Sequence, residues 1–317
     1  MEAKDIRTIC NVGTGTMGHG TAVMFAKAGY SVRMYGRTPE SIERGMKGIQ
    51  SALETYRTHQ LITDAEVPQI LARVQGVTSL AEAAQDADFV IESVAEDLPT
   101  KQAIFKQLDQ LCPEKTIFAT NTSGLSPTAV AEAISRKDKF VVAHFWNPPH
   151  LVPLVEVVPG KHTAQKTVDV TWALMEMIGK KPVALKREAL GFIGNRLQLA
   201  MLREALYIVQ EGIATPEAVD ATVRYSLGRR YGVTGPLESA DLGGLDIFQN
   251  ISTYLYKDLC NDPASSPLLA ETVARGDLGA KTGKGFYDWT KPEVLGALKK
   301  DREAVLIEWL QKDKKQK

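Results

Sequence analysis

From residue 6 to about residue 185, apolar positions fall in short β-branched runs that alternate with longer stretches of helical periodicity. Ile6–Val12, Ser31–Tyr35, Asp88–Ser93, Thr116–Thr120, Lys139–Ala143 and Leu154–Val158 predict strands, and segments such as Ser41–Thr58 and Lys101–Leu111 predict the helices between them. Beyond residue 187 the periodicity is helical throughout, with one long amphipathic stretch over Gly191–Gln210 and further helices over Pro216–Tyr225, Gly244–Asp258 and Leu268–Arg275. The strand–helix alternation predicts an α/β fold with a mostly parallel, doubly wound sheet over residues 1–187. A smaller all-α domain is expected over residues 188–317, and the basic segment Lys312–Lys317 reads as the frayed end of a helix.

Composition narrows the class. The chain has 317 residues, 44% hydrophobic and 24% charged, which provides a sizeable core and excludes disordered or collagen-like structure. Thirty-eight basic side chains balance 38 acidic ones, so no overall field recruits nucleic acid or an anionic membrane, and any anion must be held by a local site. The three cysteines, Cys10, Cys112 and Cys260, have neither disulfide-framework nor metal-ligand spacing. No metal site is expected, and a reducing, cytoplasmic setting fits. The N-terminus carries Glu2, Lys4, Asp5 and Arg7 directly before the first strand and lacks the apolar region of a signal peptide; no apolar run is long enough to span a bilayer.

Candidate chemistry begins at residues 12–20, VGTGTMGHG. Gly13, Gly15 and Gly18 form a G-x-G-x-x-G spacing directly after a strand and before the helical run Thr21–Ala28. In that setting Gly13 permits a tight turn, Gly15 lets backbone approach a pyrophosphate, and Gly18 allows close helix packing, while Thr16 and Met17 open the helix whose N–H groups face the anion. This is the signature of a Rossmann-type dinucleotide site. The acidic residue that would hold the adenosine ribose of NAD is missing: the second strand ends Tyr35-Gly36-Arg37-Thr38. Gly36 removes the group that would repel a 2′-phosphate, and Arg37 can pair with one, which points to NADP; alternatively Arg37 stacks on adenine or faces solvent.

Residues 143–158, AHFWNPPHLVPLVEVV, place His144 at the end of one expected strand and Glu156 in the next. Adjacent strands can join them, and a carboxylate on one imidazole nitrogen fixes the tautomer that makes the other a general base. That pair suits removal of an alcohol proton as hydride leaves the same carbon.

Taken with ESVAEDLPTK at 92–101, ATNTSGLS at 119–126, GFIGNRLQLAML at 191–202 and TGKGFYDW at 282–289, these motifs resemble the 3-hydroxyacyl-CoA dehydrogenase family over nearly the whole chain. The resemblance implies that His144 is the base and Glu156 its partner, that Ser123 binds the reacting oxygen, and that Asn195 lies near it. Taken alone, Ser123 would read as a turn serine and Asn195 as a helix cap. The resemblance also places Glu96 and Lys101 at the nicotinamide end of the cofactor, and Asn147 braces the loop after His144 beside the substrate. The implied activity is an NAD(P)-dependent interconversion of a short L-3-hydroxyacyl-CoA, 3-hydroxybutyryl-CoA-like, with its 3-oxo form in fatty acid metabolism, by a homodimer joined through the helical domain.

Two departures mark this chain. Family members acting on acyl-CoA usually have an acidic residue at the position of Gly36, whose family cofactor is NAD, and lysine at that of Pro153. The proline-rich segment is similar to the branch with gulonate and carnitine dehydrogenases and λ-crystallin, so a free 3-hydroxy acid is the alternative substrate and a redox-inactive, crystallin-like protein a more distant one. Arg44, Lys47 and Arg57 are the cations of residues 41–60 that could meet CoA, and they read equally as exposed helix charges.

Overall fold

A computed structural model describes residues 1–315, and the chain divides into two compact units, Met1–Asn195 with Asp301–Lys317, and Arg196–Lys300. In the first unit the elements run β1 (Thr8–Val12), α1 (Thr16–Lys27), β2 (Ser31–Tyr35), α2 (Pro39–Thr58), α3 (Glu66–Leu71), β3 (Val74–Val77), α4 (Leu80–Ala84), β4 (Phe89–Glu92) and α5 (Leu98–Leu111). They continue with β5 (Ile117–Thr120), α6 (Pro127–Ala131), β6 (Phe140–Phe145), β7 (Leu154–Pro159), α7 (Gln165–Met177), β8 (Lys181–Ala184) and the start of α8 (Gly194–Gln210).

The eight strands form one sheet in the order β3-β2-β1-β4-β5-β6-β7-β8, parallel throughout except between β6 and β7. Every residue of β4, β5 and β6 is buried. Strands covered by helices on both faces need such continuous apolar runs rather than alternation. The strand order reverses between β1 and β4, which opens a crevice at the carboxyl ends of those strands.

The sequence pattern misses β3 and β8, the two edge strands. An edge strand pairs on one side only, so it tolerates Gln75 and Gly76 in β3 and Lys181 and Pro182 in β8, which erase the apolar signal. β6 also runs two residues further than expected, because His144 and Phe145 pair with Glu156 and Val155 of β7.

The C-terminal helix, Pro292–Lys315, departs from the expected division at residue 187. Its second half belongs to the first unit, where Ile307 is 2% exposed in the same core as Phe25, Leu53 and Tyr56, with Leu306 and Leu310 packed against it. Of the basic segment, the helix reaches Lys315, and Gln316 and Lys317 lie outside the described residues. The second unit is helical, with Pro216–Thr222, Pro236–Gly243, Leu245–Leu255 and Pro267–Ala274 following α8. Only Leu206 and Thr272 are buried between residues 196 and 300, while Leu237, Leu242 and Leu245 are 82%, 80% and 61% exposed. No helix among the described residues is long and apolar enough to cross a membrane.

The glycine loop shows how closely the turn between β1 and α1 is packed. Gly13 has φ +116°, a conformation that L side chains rarely adopt, and a Cβ on Gly18 would sit 2.2 Å from the Gly13 carbonyl oxygen. Gly18→Ala is therefore expected to displace the loop, with a loss of about 1–3 kcal/mol in urea unfolding, as for other overpacked sites, and weaker dinucleotide binding.

Candidate active site

The crevice between β1 and β4 holds a cleft of ≈ 740 Å³ lined by Gly13, Thr14 and Gly15, by Tyr35, Gly36, Arg37 and Thr38, and by residues of α2, α5 and the loop after β4. A Cβ on Gly15 would meet nothing within 4 Å, so its backbone faces open space, whereas Gly13 and Gly18 are closed in by Ser93 and Gly13 respectively. Thr16 and Met17 form the first turn of α1, whose free N–H groups suit an anion. The loop therefore fits the pyrophosphate of a dinucleotide. Two residues that sequence reasoning passed over hold it: buried Asn11 donates its amide to the carbonyls of Gly13 (3.0 Å) and Gly18 (3.1 Å), and Thr21 donates to Asn11 Oδ1 (2.7 Å). An asparagine inside an otherwise apolar strand was the available signal.

His144 and Glu156 are direct cross-strand partners in the antiparallel β6–β7 pair. His144 Nδ1 lies 2.8 Å from Glu156 Oε2, with His144 5% and Glu156 0% exposed. Oε2 also accepts from Trp146 Nε1 at 3.3 Å, and Oε1 accepts from the backbone N–H groups of Ile193 and Gly194, both at 2.9 Å. Burial would raise the Glu156 carboxyl, but the hydrogen bonds from His144, Gly194 and Ile193 outweigh it and hold it below the usual carboxylate range. An ionised Glu156 keeps the proton on Nδ1 and leaves Nε2 with its lone pair, the arrangement of a general base.

The turn that supplies the two N–H groups is unusual. Gly191 has φ +71° and Phe192 φ +52°, and the buried Phe192 ring lies 5.6 Å from the His144 ring between centroids. Consecutive N–H groups pointing the same way form a cradle for an anion, here the Glu156 carboxylate. Trp146 closes the other side: a Cβ on Gly194 would fall 2.2 Å from its Cζ2. The motif at 191–195 thus braces the carboxylate and starts α8.

Ser123 is exposed after β5. Its N–H donates to Glu96 Oε1 (2.9 Å), as does the Thr122 hydroxyl, and its carbonyl accepts from Asn195 Nδ2 (2.9 Å). The structure thus joins Ser123, Glu96 and Asn195. Lys101, 1% exposed, is bound to Glu92 Oε1 (2.8 Å) and lies 3.4 Å from Glu96 Oε2, so its charge is turned to carboxylates and orients Glu96. Glu92 is fully buried and also accepts from Val94 N and Thr120 Oγ1, both at 2.6 Å. Glu188, unremarked in the sequence, accepts from Ser126 Oγ (2.8 Å) and Thr128 Oγ1 (2.7 Å) and secures the chain after Ser123. Asn147 is exposed in the loop after β6, and Arg37 is exposed in the cleft.

A glycine cradle at a topological switch point, with an imidazole–carboxylate pair further along the same sheet, defines the architecture of a dinucleotide-dependent dehydrogenase. Residues 8–189 match the model of the 3-hydroxyacyl-CoA dehydrogenase NAD binding domain, and residues 191–289 that of the C-terminal domain. The chain is 35% identical to 5-formyl-3-hydroxy-2-methylpyridine 4-carboxylate 5-dehydrogenase of Mesorhizobium japonicum over 95% of this chain and 96% of that one. A crystal structure of a 5-dehydrogenase of this acid, an NAD+-dependent dismutase, has a TM-score of 0.90 at 32% identity, covering 98% of this chain and 99% of that one. The chain is also 39% identical to a probable 3-hydroxybutyryl-CoA dehydrogenase of Bacillus subtilis, over 90% of this chain and 98% of that one. The structure of (S)-3-hydroxybutyryl-CoA dehydrogenase from Ralstonia eutropha has a TM-score of 0.76 at 36% identity, covering 90% of this chain and 100% of that one. The chain belongs to the 3-hydroxyacyl-CoA dehydrogenase family and is an oxidoreductase of that type.

Loss of the carboxylate leaves the imidazole without its partner. Glu156→Gln and His144→Ala are each expected to lower kcat by about 10²–10⁴-fold, the usual contribution of a positioned base, with nicotinamide nucleotide binding unchanged in fluorescence titration. Trp146→Phe, which removes only one of four hydrogen bonds to Glu156, is expected to have a smaller effect.

Proposed function

We propose that this chain interconverts a short L-3-hydroxyacyl-CoA and its 3-oxo form by hydride transfer, with His144 as the base. The 2.8 Å contact between His144 Nδ1 and the buried, ionised Glu156 carries the reading. In the oxidative direction the substrate hydroxyl gives its proton to His144 Nε2, and Glu156 stabilises the imidazolium that forms. Ser123 supplies the hydroxyl that holds the reacting oxygen; Asn195, anchored on the Ser123 carbonyl, sets the same corner of the site. Hydrogen-bond donors aimed at an oxygen gaining negative charge lower such barriers by about 3–4 kcal/mol. The dinucleotide, when bound through Gly13, Gly15 and the first turn of α1, supplies the hydride acceptor.

The NAD binding domain that the chain matches supports NAD; at the adenosine end, Gly36 and Arg37 of this chain point instead to a preference for the 2′-phosphorylated nucleotide. A Cβ at Gly36 would meet Ser41 Oγ at 2.5 Å and Thr14 Cγ2 at 2.8 Å, so the acidic side chain that grips an NAD ribose would require both of these side chains to shift. Arg37 and Arg44 both line this part of the cleft, and neither guanidinium forms an ion pair or hydrogen bond among the described residues. Two exposed guanidiniums beside the absent carboxylate favour a phosphate through charge-assisted contacts.

A second reading of the substrate, a free carboxylic acid bearing the hydroxyl, is favoured by a specific observation. Lys47 is paired with Glu43 at 2.7 Å, and Arg57 with Glu54 at 2.6 Å and Asp64 at 3.3 Å, so two of the three cations of α2 that could meet CoA phosphates already have partners. The likeness to the pyridine-carboxylate dehydrogenase, which extends past residue 289, agrees with it.

Initial rates of acetoacetyl-CoA reduction with NADH and NADPH test both ends of the site. Turnover supports the acyl-CoA reading, and no turnover with either nucleotide transfers the proposal to a free hydroxy acid. Fluorescence titration is expected to show tighter binding of NADPH than NADH, with the difference lost in Arg37→Ala; equal affinities in the unaltered protein would overturn the nucleotide preference.

The second unit exposes many large apolar side chains, among them Leu197, Leu199, Leu237, Leu242 and Phe248, and we assign them to a homodimer contact. Sedimentation is expected to give twice the chain mass of 34.7 kDa. A monomer at micromolar concentration would refute this.

A further inference from the structure

A second concavity in the first unit shares no residue with the cofactor cleft. The cleft uses the N-terminal ends of α1 and α2; this pocket, ≈ 160 Å³, uses their C-terminal parts at Met24, Lys27 and Tyr56, together with the β6–β7 loop, the end of α7 and the C-terminal helix. Met24, Leu61, Ile178 and Leu310 give it apolar walls. Among the described residues its charged lining is Lys27, Lys180, Lys181 and Asp313.

Two polar groups here are buried without full satisfaction. Lys180 is 4% exposed, and its ammonium donates to the carbonyls of Val152 (2.9 Å) and Pro149. Of the three donors of the ammonium two are taken by these carbonyls, and the ammonium lies 5.7 Å from the centre of the Phe145 ring. Burial, reinforced by the charge of Lys27, lowers Lys180 to about 7. His150 lines the same pocket, and its Nδ1 is buried with no hydrogen-bond partner. Burial first, and then the charges of His19 and Lys180, lower His150 to about 4, so the ring is neutral near pH 7. The Tyr56 hydroxyl donates to the His150 carbonyl and fixes that residue against α2. The Lys180 ammonium is the polar group here with an N–H left for an anion, and the neutral His150 ring packs beside it with its Nδ1 sealed from solvent.

The geometry points to a binding site for a small monocarboxylate with an apolar body, its carboxylate accepting from Lys180 and its hydrocarbon resting on Met24, Leu61 and Leu310. The lysines at the pocket draw the anion, and the apolar walls select against inorganic anions. Because Lys180 holds the carbonyls of residues 149 and 152, an occupant bears directly on the loop that follows the base His144 and carries Asn147. The site does not depend on the substrate or nucleotide proposed above.

Benzoate is the probe, titrated calorimetrically into the full-length protein saturated with nicotinamide nucleotide. One molecule is expected to bind per chain. Leu310→Trp, which fills the pocket from the C-terminal helix and leaves Lys180 in place, is expected to abolish binding. Lys180→Met is expected to weaken it by about tenfold or more, the effect of losing one charge-assisted contact. Ser123→Ala, in the catalytic corner, is expected to leave benzoate affinity unchanged. Absence of binding to the unaltered protein, equal affinity in Leu310→Trp, or a loss in Ser123→Ala matching that in Leu310→Trp would each overturn the proposal.

Discussion

The carboxylate of Glu156 is removed from water, and the site around it is arranged by the need to satisfy it. A buried ion without donors is costly, so the four groups that supply hydrogen bonds are held to fixed positions: His144 and Trp146 from one side, the N–H groups of Ile193 and Gly194 from the other. His144 comes from β6, and the N–H pair from the turn that begins α8. One side chain on β7 thereby ties the His144 imidazole to the helix that carries Asn195, and Asn195 in turn reaches the Ser123 carbonyl beyond β5. The reacting corner is assembled from three separate stretches of chain, and Glu156 is the group common to two of them.

Much of this was legible because the decisive residues announce themselves locally. The glycine loop depends on backbone room within nine residues, and Gly13, Gly15 and Gly18 stand where a tight turn, an open approach and a close packing contact require them. The His144–Glu156 pair was legible because two strands separated by a short loop place residues opposite each other at a spacing that can be counted. Asn11, Trp146, Glu188 and Lys180 were not, since each acts through partners whose proximity the fold creates. Glu188 meets Ser126 and Thr128 about 60 residues away in sequence, and Lys180 meets the carbonyls of the β6–β7 loop. The place of the C-terminal helix was hidden for the same kind of reason: its sequence does not say which core it joins, and only the placement of Ile307 in the first core shows it.

A second buried polar assembly stands under the other side of the site. Lys101 and Glu92 are both out of solvent, and such a pair adds little stability over an apolar replacement. Its effect is directional. With Glu92 also fixed by Val94 and Thr120, the ammonium is left facing Glu96, and Glu96 receives the Thr122 hydroxyl and the Ser123 N–H. A charged side chain that is half exposed at the cleft is thus oriented from below by one that is not exposed at all.

These two networks use backbone N–H groups and short-range contacts, none of which involves the position of Gly36, the charges of α2 or Pro153. The His144–Glu156 pair and the Lys101–Glu92–Glu96 network are therefore mechanically separate from the positions of Gly36, the α2 cations and Pro153. A change at Gly36 meets Ser41 and Thr14, and a change at Arg44 or Lys47 meets solvent or Glu43; neither reaches the Glu156 cradle. That separation gives a physical reason why one framework of this kind can stand beside different nucleotide- and substrate-facing residues, as the differing names of the relatives, a probable 3-hydroxybutyryl-CoA dehydrogenase and a pyridine-carboxylate dehydrogenase, suggest for the family.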